Sequence, residues 1–350
     1  MIAVIKEKQE WSALLAKAEN LDFYHTYDYH HLSKTEGESP ILIKYTEGDT
    51  TLVLPLLLRD IENSDYKDAT SVYGYAGLLA LHIDAHFNKA NFHNELNAFF
   101  KAQKIISVFS RLHTFIEHQE DLHTGLGHIL SLGKVVYVDL TQTIEDQRAK
   151  YNRRLKTYVN KARKLCTVIE GTVDAHVQTF IELYEENMKR VDATDNYFFD
   201  TAYYHRLLSS SDFETKLMLC QHNESQEIIA GALFMKTGNI VQYHLSGLSE
   251  EYFELNPIKL IIDEMRIIAT NEGYKIFNLG GGLGSEEDSL FKFKSGFSKD
   301  FETFKVWKYV VDEAAYKTLT KNHLGTEIKT EELHDGYFPA YRAPVKTHTV

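Results

Sequence analysis

FNLGGGLGSEEDSLFKFKSGF, residues 277–297, is the stretch on which the reading of this chain turns. It begins inside an expected strand, Lys275–Leu279, that runs directly into Gly280, Gly281 and Gly282. Consecutive glycines at a strand end permit positive φ values or close approach of a ligand to the backbone. Ser285 followed by Asp288 resembles a capping box and predicts a helix start, and Gly296 is placed to end that helix. At about 100° per residue, Leu290, Phe291, Phe293 and Phe297 share one arc, and Lys294 falls inside it. Lys292 lands on the opposite side, four residues after Asp288, where an ion pair is expected. A lysine among phenylalanines is costly unless its ammonium finds a partner or snorkels to water. Beside a glycine turn, such a cation suits the oxyanion of an acyl-transfer intermediate or a donor phosphate.

Upstream, a charge run stands out. Arg148, Lys150, Arg153, Arg154, Lys156, Lys161, Arg163 and Lys164 follow one another with no Asp or Glu between them, in a chain of net charge −12. Tyr151, Leu155, Tyr158, Ala162 and Leu165 recur at helical spacing, so one face packs and the other presents cations. Arg153, Arg154, Lys156, Lys161 and Lys164 are candidates for docking an anionic donor. The alternative is a solvated face neutralised by acids elsewhere in the fold.

The remaining pattern alternates helix and strand. Helices are expected over Gln9–Ala18, Asp84–Gln103, Phe180–Arg190 and Thr201–Leu208, and from Asn256-Pro257 to Gly273. Strands are expected over Ile41–Tyr45, Thr51–Arg59, Ile105–Phe109, Val135–Leu140, Thr167–Glu170, Lys216–Gln221, Glu227–Lys236, Ile240–Ser246 and Thr303–Val311. Each half reads as helix, strands, helix, strand, which predicts an α/β (α+β mixed) class with helices flanking mixed sheets. At 350 residues two domains are the expectation. Two cysteines, Cys166 and Cys220, are too few for a disulfide framework and read as small core residues of a reducing compartment. With no signal-like start and no apolar run long enough for a membrane span, a cytoplasmic location is expected. His25, His30 and His31 lack a completing ligand, so no metal site is predicted.

The 277–297 stretch resembles the signature of the FemAB family of aminoacyl and acyl transferases, built from two GNAT-type acyltransferase folds. Other segments resemble that family in the same order: YHTYDYHHL (24–32), SVYGYAGLL (71–79), SVFSRLH (107–113), YNRRLKTYVNKARKL (151–165), YHLSGLSEEYFELNPIKLI (243–261) and YFPAYR (337–342). The resemblance implies two GNAT-like folds, each a mixed, mostly antiparallel sheet flanked by helices. It implies a first domain over 1–145 completed by 313–350, and a second over 146–312 that carries the acyl-transfer site. It implies that Lys294, after Phe293, is tied to the acyl-transfer centre, with Gly280, Gly281 and Gly282 as the backbone surface near the acyl group. It also implies transfer of an aminoacyl or acyl group from aminoacyl-tRNA or an acyl carrier to an amine. That amine would belong to a cell-wall (peptidoglycan) precursor, small or lipid-linked, or to an amino-sugar.

Ordinary GNAT enzymes cradle the pyrophosphate of acetyl-CoA on backbone N–H groups of a basic, Gly-rich turn. The equivalent stretch here, Leu248–Asn256, has three glutamates and no basic residue, which disfavours CoA. Two alternatives stand beside the main expectation: an acyl-CoA-dependent N-acetyltransferase, and a non-catalytic binding module on a degenerate fold. Tyr73, Tyr75, Tyr243 and His244 are candidates for lining an acceptor cleft, with core packing as the alternative. His244 is a candidate general base, or a structural histidine. Arg111, at a strand end, is a candidate for acceptor phosphate, or for pairing with a carboxylate.

Overall fold

Runs such as Ile41–Tyr45 and Leu52–Leu57 supply the β-branched and aliphatic residues that fill a pleated, buried surface. In a computed structural model, which describes residues 1–344, they become parts of long strands. The last six residues of the expected segment 313–350 lie outside the described residues. The strands are β1 (Ile2–Ile5), β2 (Glu38–Glu47), β3 (Thr50–Asp60), β4 (Lys67–Thr70), β5 (Leu79–His82), β6 (Ile105–Arg111), β7 (His128–Asp139), β8 (Cys166–Glu170), β9 (Glu214–His222), β10 (Ile228–Thr237), β11 (Ile240–Leu248), β12 (Ile276–Gly280) and β13 (Asp300–Val310). The helices are α1 (Lys8–Leu15), α2 (Tyr27–Ser33), α3 (Lys89–Ala102), α4 (Gln119–His123), α5 (Ile144–Ala149), α6 (Arg153–Leu165), α7 (Asp174–Arg190), α8 (Thr201–Leu208), α9 (Pro257–Asn271), α10 (Ser289–Lys294) and α11 (Glu313–Leu324).

The chain divides into two units. The first comprises Met1–Glu19, Tyr24–Leu132 and the chain from Phe304 onward; the second comprises Asn20–Phe23 and Gly133–Thr303. Two of the four dividing points, 132/133 and 303/304, fall inside strands, β7 and β13.

In the first unit the strands run β1-β2-β3-β4-β6-β13, with β5 against β3. All described pairings are antiparallel except β4 with β6. A parallel pair needs a crossover, and α3 lies within the connection from β4 to β6. Helix α3 starts at Lys89, five residues later than the expected Asp84, because Asn88 caps it by accepting the Asn91 N–H at 3.1 Å. Phe92, Leu96 and Phe100 of α3 join Ile41, Leu54, Val108 and Trp307 in the core.

The second unit repeats the scheme in the order β7-β12-β11-β10-β9-β8. Here the parallel pair is β11 with β12, connected through α9. Its core joins Val159, Ala162, Phe234, Val241, Ile261, Phe277 and Phe291, each 6% exposed or less. The fold class expected from the sequence, mixed α/β with mostly antiparallel sheets flanked by helices, is borne out. Cys166 and Cys220 are both free and buried. Among the described residues no helix is long and apolar enough to cross a membrane, and no group of His, Cys, Asp and Glu is placed to hold a metal ion.

Candidate functional site

The second unit opens at the carboxyl end of its parallel pair. The β11–β12 ladder runs Ile240–Ile276, Val241–Phe277, Gln242–Asn278, and stops there. Strand β11 continues to Leu248 and β12 ends at Gly280. His244 and Gly280 each lie two residues past the last paired rung, where the strands part. His244 is also the extra residue of a bulge, since Leu233 pairs with Leu245 and Phe234 pairs with Tyr243 across β10. Bulges of this kind re-aim side chains and gather beside active sites. In open α/β sheets ligands settle outside the carboxyl ends of strands at such a parting.

Lys294 ends α10, and its Nζ donates to the carbonyl oxygen of Gly281 at 2.7 Å. The residue is half-buried, and burial lowers its pKa to about 8, with Asp288 pulling the other way. An ammonium has three N–H donors. Among the described residues the other two have no hydrogen-bond partner and no carboxylate forms an ion pair with Nζ. The result is a cation anchored on the glycine turn with donor capacity unspent.

The local build differs from the capping box expected at Ser285. Asp288 is the N-cap, accepting the Phe291 N–H at 2.9 Å through Oδ1 and the Leu283 N–H at 3.3 Å through Oδ2. With that carboxylate committed to the backbone, no ion pair to Lys292 forms and Lys292 is exposed. Helix α10 is six residues long, so the expected apolar arc breaks at Leu290, which is 41% exposed. Phe291 and Phe297 are buried, and the Phe293 ring lies 5.7 Å from that of Phe297. The glycines serve the turn itself. Gly280 has φ +80°, and a Cβ on Gly282 would lie 2.0 Å from the Glu286 carbonyl oxygen.

Asn278 was not singled out by the sequence. It is fully buried, its Oδ1 accepts the Gly280 N–H at 2.9 Å, and its Nδ2 has no partner. It fixes the first glycine amide of the turn. His244 contacts the Tyr203 hydroxyl at 3.1 Å and meets the Phe23 ring edge-on at 5.4 Å. Burial lowers its pKa to about 4, with Asp22 opposing. The Tyr243 hydroxyl bonds Ser246 Oγ, and burial raises its pKa to about 12.

The stretch expected to replace a pyrophosphate cradle forms a short 3-10 turn, Glu250–Leu255, before α9. The Glu250 N–H, at the amino end of that turn, donates to Glu186 Oε1 of α7 at 2.8 Å. Beside it lies a groove of about 470 Å³ whose lining includes Glu182, Glu186, Glu227 and Glu251.

The basic run is not one helix. It breaks after α5, and Asn152 caps α6 by accepting the Leu155 N–H at 2.7 Å. Arg148 and Arg163 pair with the buried Asp263 at 3.2 and 2.8 Å, and Lys150 pairs with Asp300 at 2.5 Å. These three are structural. Lys156 bonds the Ala149 carbonyl oxygen. Arg153, Arg154, Lys161 and Lys164 are exposed and have no acid partner among the described residues.

In the first unit, Arg111 ends β6 and stands 5.5 Å from the Tyr73 ring centroid. Tyr75 packs edge-on against Tyr24 and Phe304 at 5.9 and 5.1 Å, while Tyr73 is 66% exposed.

The FemAB family model matches residues 214–320, which contain β11, β12, the glycine turn and Lys294. The resemblance read from the sequence is thus borne out. Among solved structures, FemX superposes with a TM-score of 0.70 at 15% identity, covering 90% of this chain and 99% of its own. L-PGS from Bacillus licheniformis gives 0.54 at 13%, covering 87% and 91%. A conserved protein of unknown function from Bacteroides thetaiotaomicron gives 0.54 at 12%, covering 88% and 99%. At these identities the likeness is one of fold. No curated protein matches the chain.

Proposed function

We propose that this chain transfers an aminoacyl or related acyl group from an activated ester or thioester donor to an amine. The observation that carries the proposal is the Lys294 ammonium, fixed on the Gly281 carbonyl where β11 and β12 part, with two N–H groups unspent. The acceptor amine attacks the donor carbonyl, the C–N bond forms, and the carbonyl oxygen becomes an oxyanion. Lys294 supplies charge and donors to that oxyanion. The intermediate then collapses, the bond to the donor oxygen or sulfur breaks, and the proton lost by the amine ends on the leaving group. The rest of the site positions the reactants. His244 is neutral at pH 7, yet a base of pKa about 4 takes little from an ammonium, so the proposal gives it a positioning role.

The donor is proposed to be aminoacyl-tRNA or an acyl carrier. The FemAB match over residues 214–320 supports an aminoacyl donor. The Glu186 contact argues against CoA, because a carboxylate of the chain already occupies an N–H of the turn that would meet pyrophosphate. Arg153, Arg154, Lys161 and Lys164 offer an anion-docking face, and Phe293 and Tyr243 flank the acyl region. The acceptor is proposed to be an amine of a cell-wall precursor or amino-sugar.

The test follows a labelled amino acid from a pool of charged tRNAs into acid-soluble amide in the presence of candidate amines. Transfer by the wild type and its loss in Lys294→Met is the expected result. Saturable CoA binding by calorimetry, with no transfer from charged tRNA, would overturn the donor assignment.

A further inference from the structure

Asn278 is out of place in the interior of its strand. It stands in β12 between Phe277 and Leu279, which both lie in the core of the second unit, so by alternation its side chain leaves the sheet on the opposite face. Its ladder partners are Gln242 of β11 on one side and Tyr137 of β7 on the other. It is 0% exposed, and its Nδ2 has no hydrogen-bond partner among the described residues. A buried amide with an unmet donor is destabilising, and an apolar residue of similar size would avoid that loss. What the amide supplies is its oxygen. The Gly280 N–H donates to Oδ1 at 2.9 Å, and only the oxygen can accept an N–H, which fixes the orientation of the amide. Asparagine bonds the backbone two residues on in this way at turns.

That contact lies on the path to Lys294. The register of β12 on β7 slips between Asn278 and Gly280, Gly280 has a positive φ, and a Cβ on Gly281 would lie 2.9 Å from the Lys134 carbonyl oxygen. The chain therefore leaves the sheet as a glycine turn seated against β7. The Gly281 carbonyl oxygen, one residue beyond the bonded amide, accepts from the Lys294 ammonium at 2.7 Å. Asp288 holds the far side of the turn at the Leu283 N–H, and Asn278 holds the near side. We propose that Asn278 is a positioning residue: by accepting the Gly280 N–H it aims the Gly281 carbonyl and, through that carbonyl, sets the Lys294 ammonium for acyl transfer. Its consequence for turnover rests on the acyl-transfer reading; its hold on Lys294 does not.

Asn278→Ala and Asn278→Ser separate this role from packing. Both open nearly the same space, and only serine keeps an oxygen able to accept the Gly280 N–H. The full chain is acetylated with acetic anhydride at a series of pH values, and the product is read by peptide mass spectrometry with the exposed Lys292 as reference. Wild-type Lys294 is expected to titrate at about 8. In Asn278→Ala the ammonium is released from the turn and regains water, so its midpoint is expected to rise by about one unit or more toward the ordinary lysine value. Asn278→Ser is expected to keep the wild-type midpoint, and Lys292 is expected to titrate alike in all three proteins. A merely structural Asn278 would move Lys294 equally in both variants or in neither, and either result would overturn the positioning. If Asn278→Ala does not fold, Asn278→Leu takes its place, and a wild-type Lys294 midpoint there overturns it as well. Turnover from charged tRNA to an amine is expected to fall about tenfold or more in Asn278→Ala with KM unchanged, and to be regained in Asn278→Ser. Wild-type turnover in Asn278→Ala beside a shifted midpoint would overturn the consequence for turnover alone. Absence of transfer by the wild type would remove the acyl-transfer reading, and the midpoints would still decide whether Asn278 sets Lys294.

Discussion

An ammonium taken out of water is destabilising, and Lys294 carries that cost in the folded state. Its pKa is lowered to about 8 by burial. Between about 8 and the ordinary lysine value the unfolded chain holds a proton that the folded chain has lost. Stability therefore rises with pH across that window, and below it the folded protein bears the buried charge. Lys294→Met removes that charge, so its melting temperature at pH 7 is expected to equal or exceed that of the wild type. A clear drop would assign Lys294 a structural role. Turnover is expected to fall about 10²–10³-fold in the same variant, as for removal of an oxyanion donor. The wild-type rate is expected to decline as pH rises through about 8, where the cation is lost; a rate that rises through that value would make Lys294 a base. The sequence made Lys294 legible because helical spacing set a charge among rings. Asn278 and Glu186 were not legible. An asparagine in a strand and a glutamate on a helix are ordinary until the fold sets one on the Gly280 amide and the other on the Glu250 amide.

At the scale of elements, the basic run separates into two jobs that the sequence could not tell apart. Arg148 and Arg163 converge with Arg266 on Asp263, which is fully buried and also accepts from the Tyr151 hydroxyl at 2.7 Å. Arg148, Tyr151 and Arg163 lie 115, 112 and 100 residues from Asp263 in the chain, so no local pattern announces them. These contacts hold the Asp263 carboxyl below its ordinary pKa despite burial. Its contribution to stability is present above the unfolded carboxylate value and is lost as pH falls through the folded one. Asp263→Asn leaves buried arginines uncompensated and is expected to destabilise the protein by about 3 kcal/mol or more in urea melts. Arg153, Arg154, Lys161 and Lys164 touch no acid, so replacing all four with Gln is expected to leave the melting temperature unchanged. The same variant is expected to weaken capture of charged tRNA and flatten its salt dependence. Undiminished affinity would mark the face as merely solvated. Asn152, which breaks the run, was readable as a cap only once a helix boundary was placed beside it.

At the scale of the molecule, the class was legible because strand and helix periodicities alternate clearly through both halves. The way strands are shared was not. A sequence is divided where connections occur, whereas the two units divide inside β7 and β13. Strand β7 leaves the first half to pair with β12, and β13 leaves the second to pair with β6. Residues 146–312 alone lack β7 and expose the edge of β12, so that fragment is expected to aggregate or show no cooperative melt by circular dichroism. A soluble, cooperatively folding 146–312 fragment would contradict the strand exchange. The cation at the parting of β11 and β12 is proposed to accelerate acyl transfer from a donor other than CoA. Single-turnover transfer from a labelled charged-tRNA pool to an acceptor amine, comparing wild type with Lys294→Met at pH 7, tests it most directly. Rapid amide formation by the wild type with a loss of about 10² or more in the variant is the predicted result; equal rates in the two proteins would contradict it.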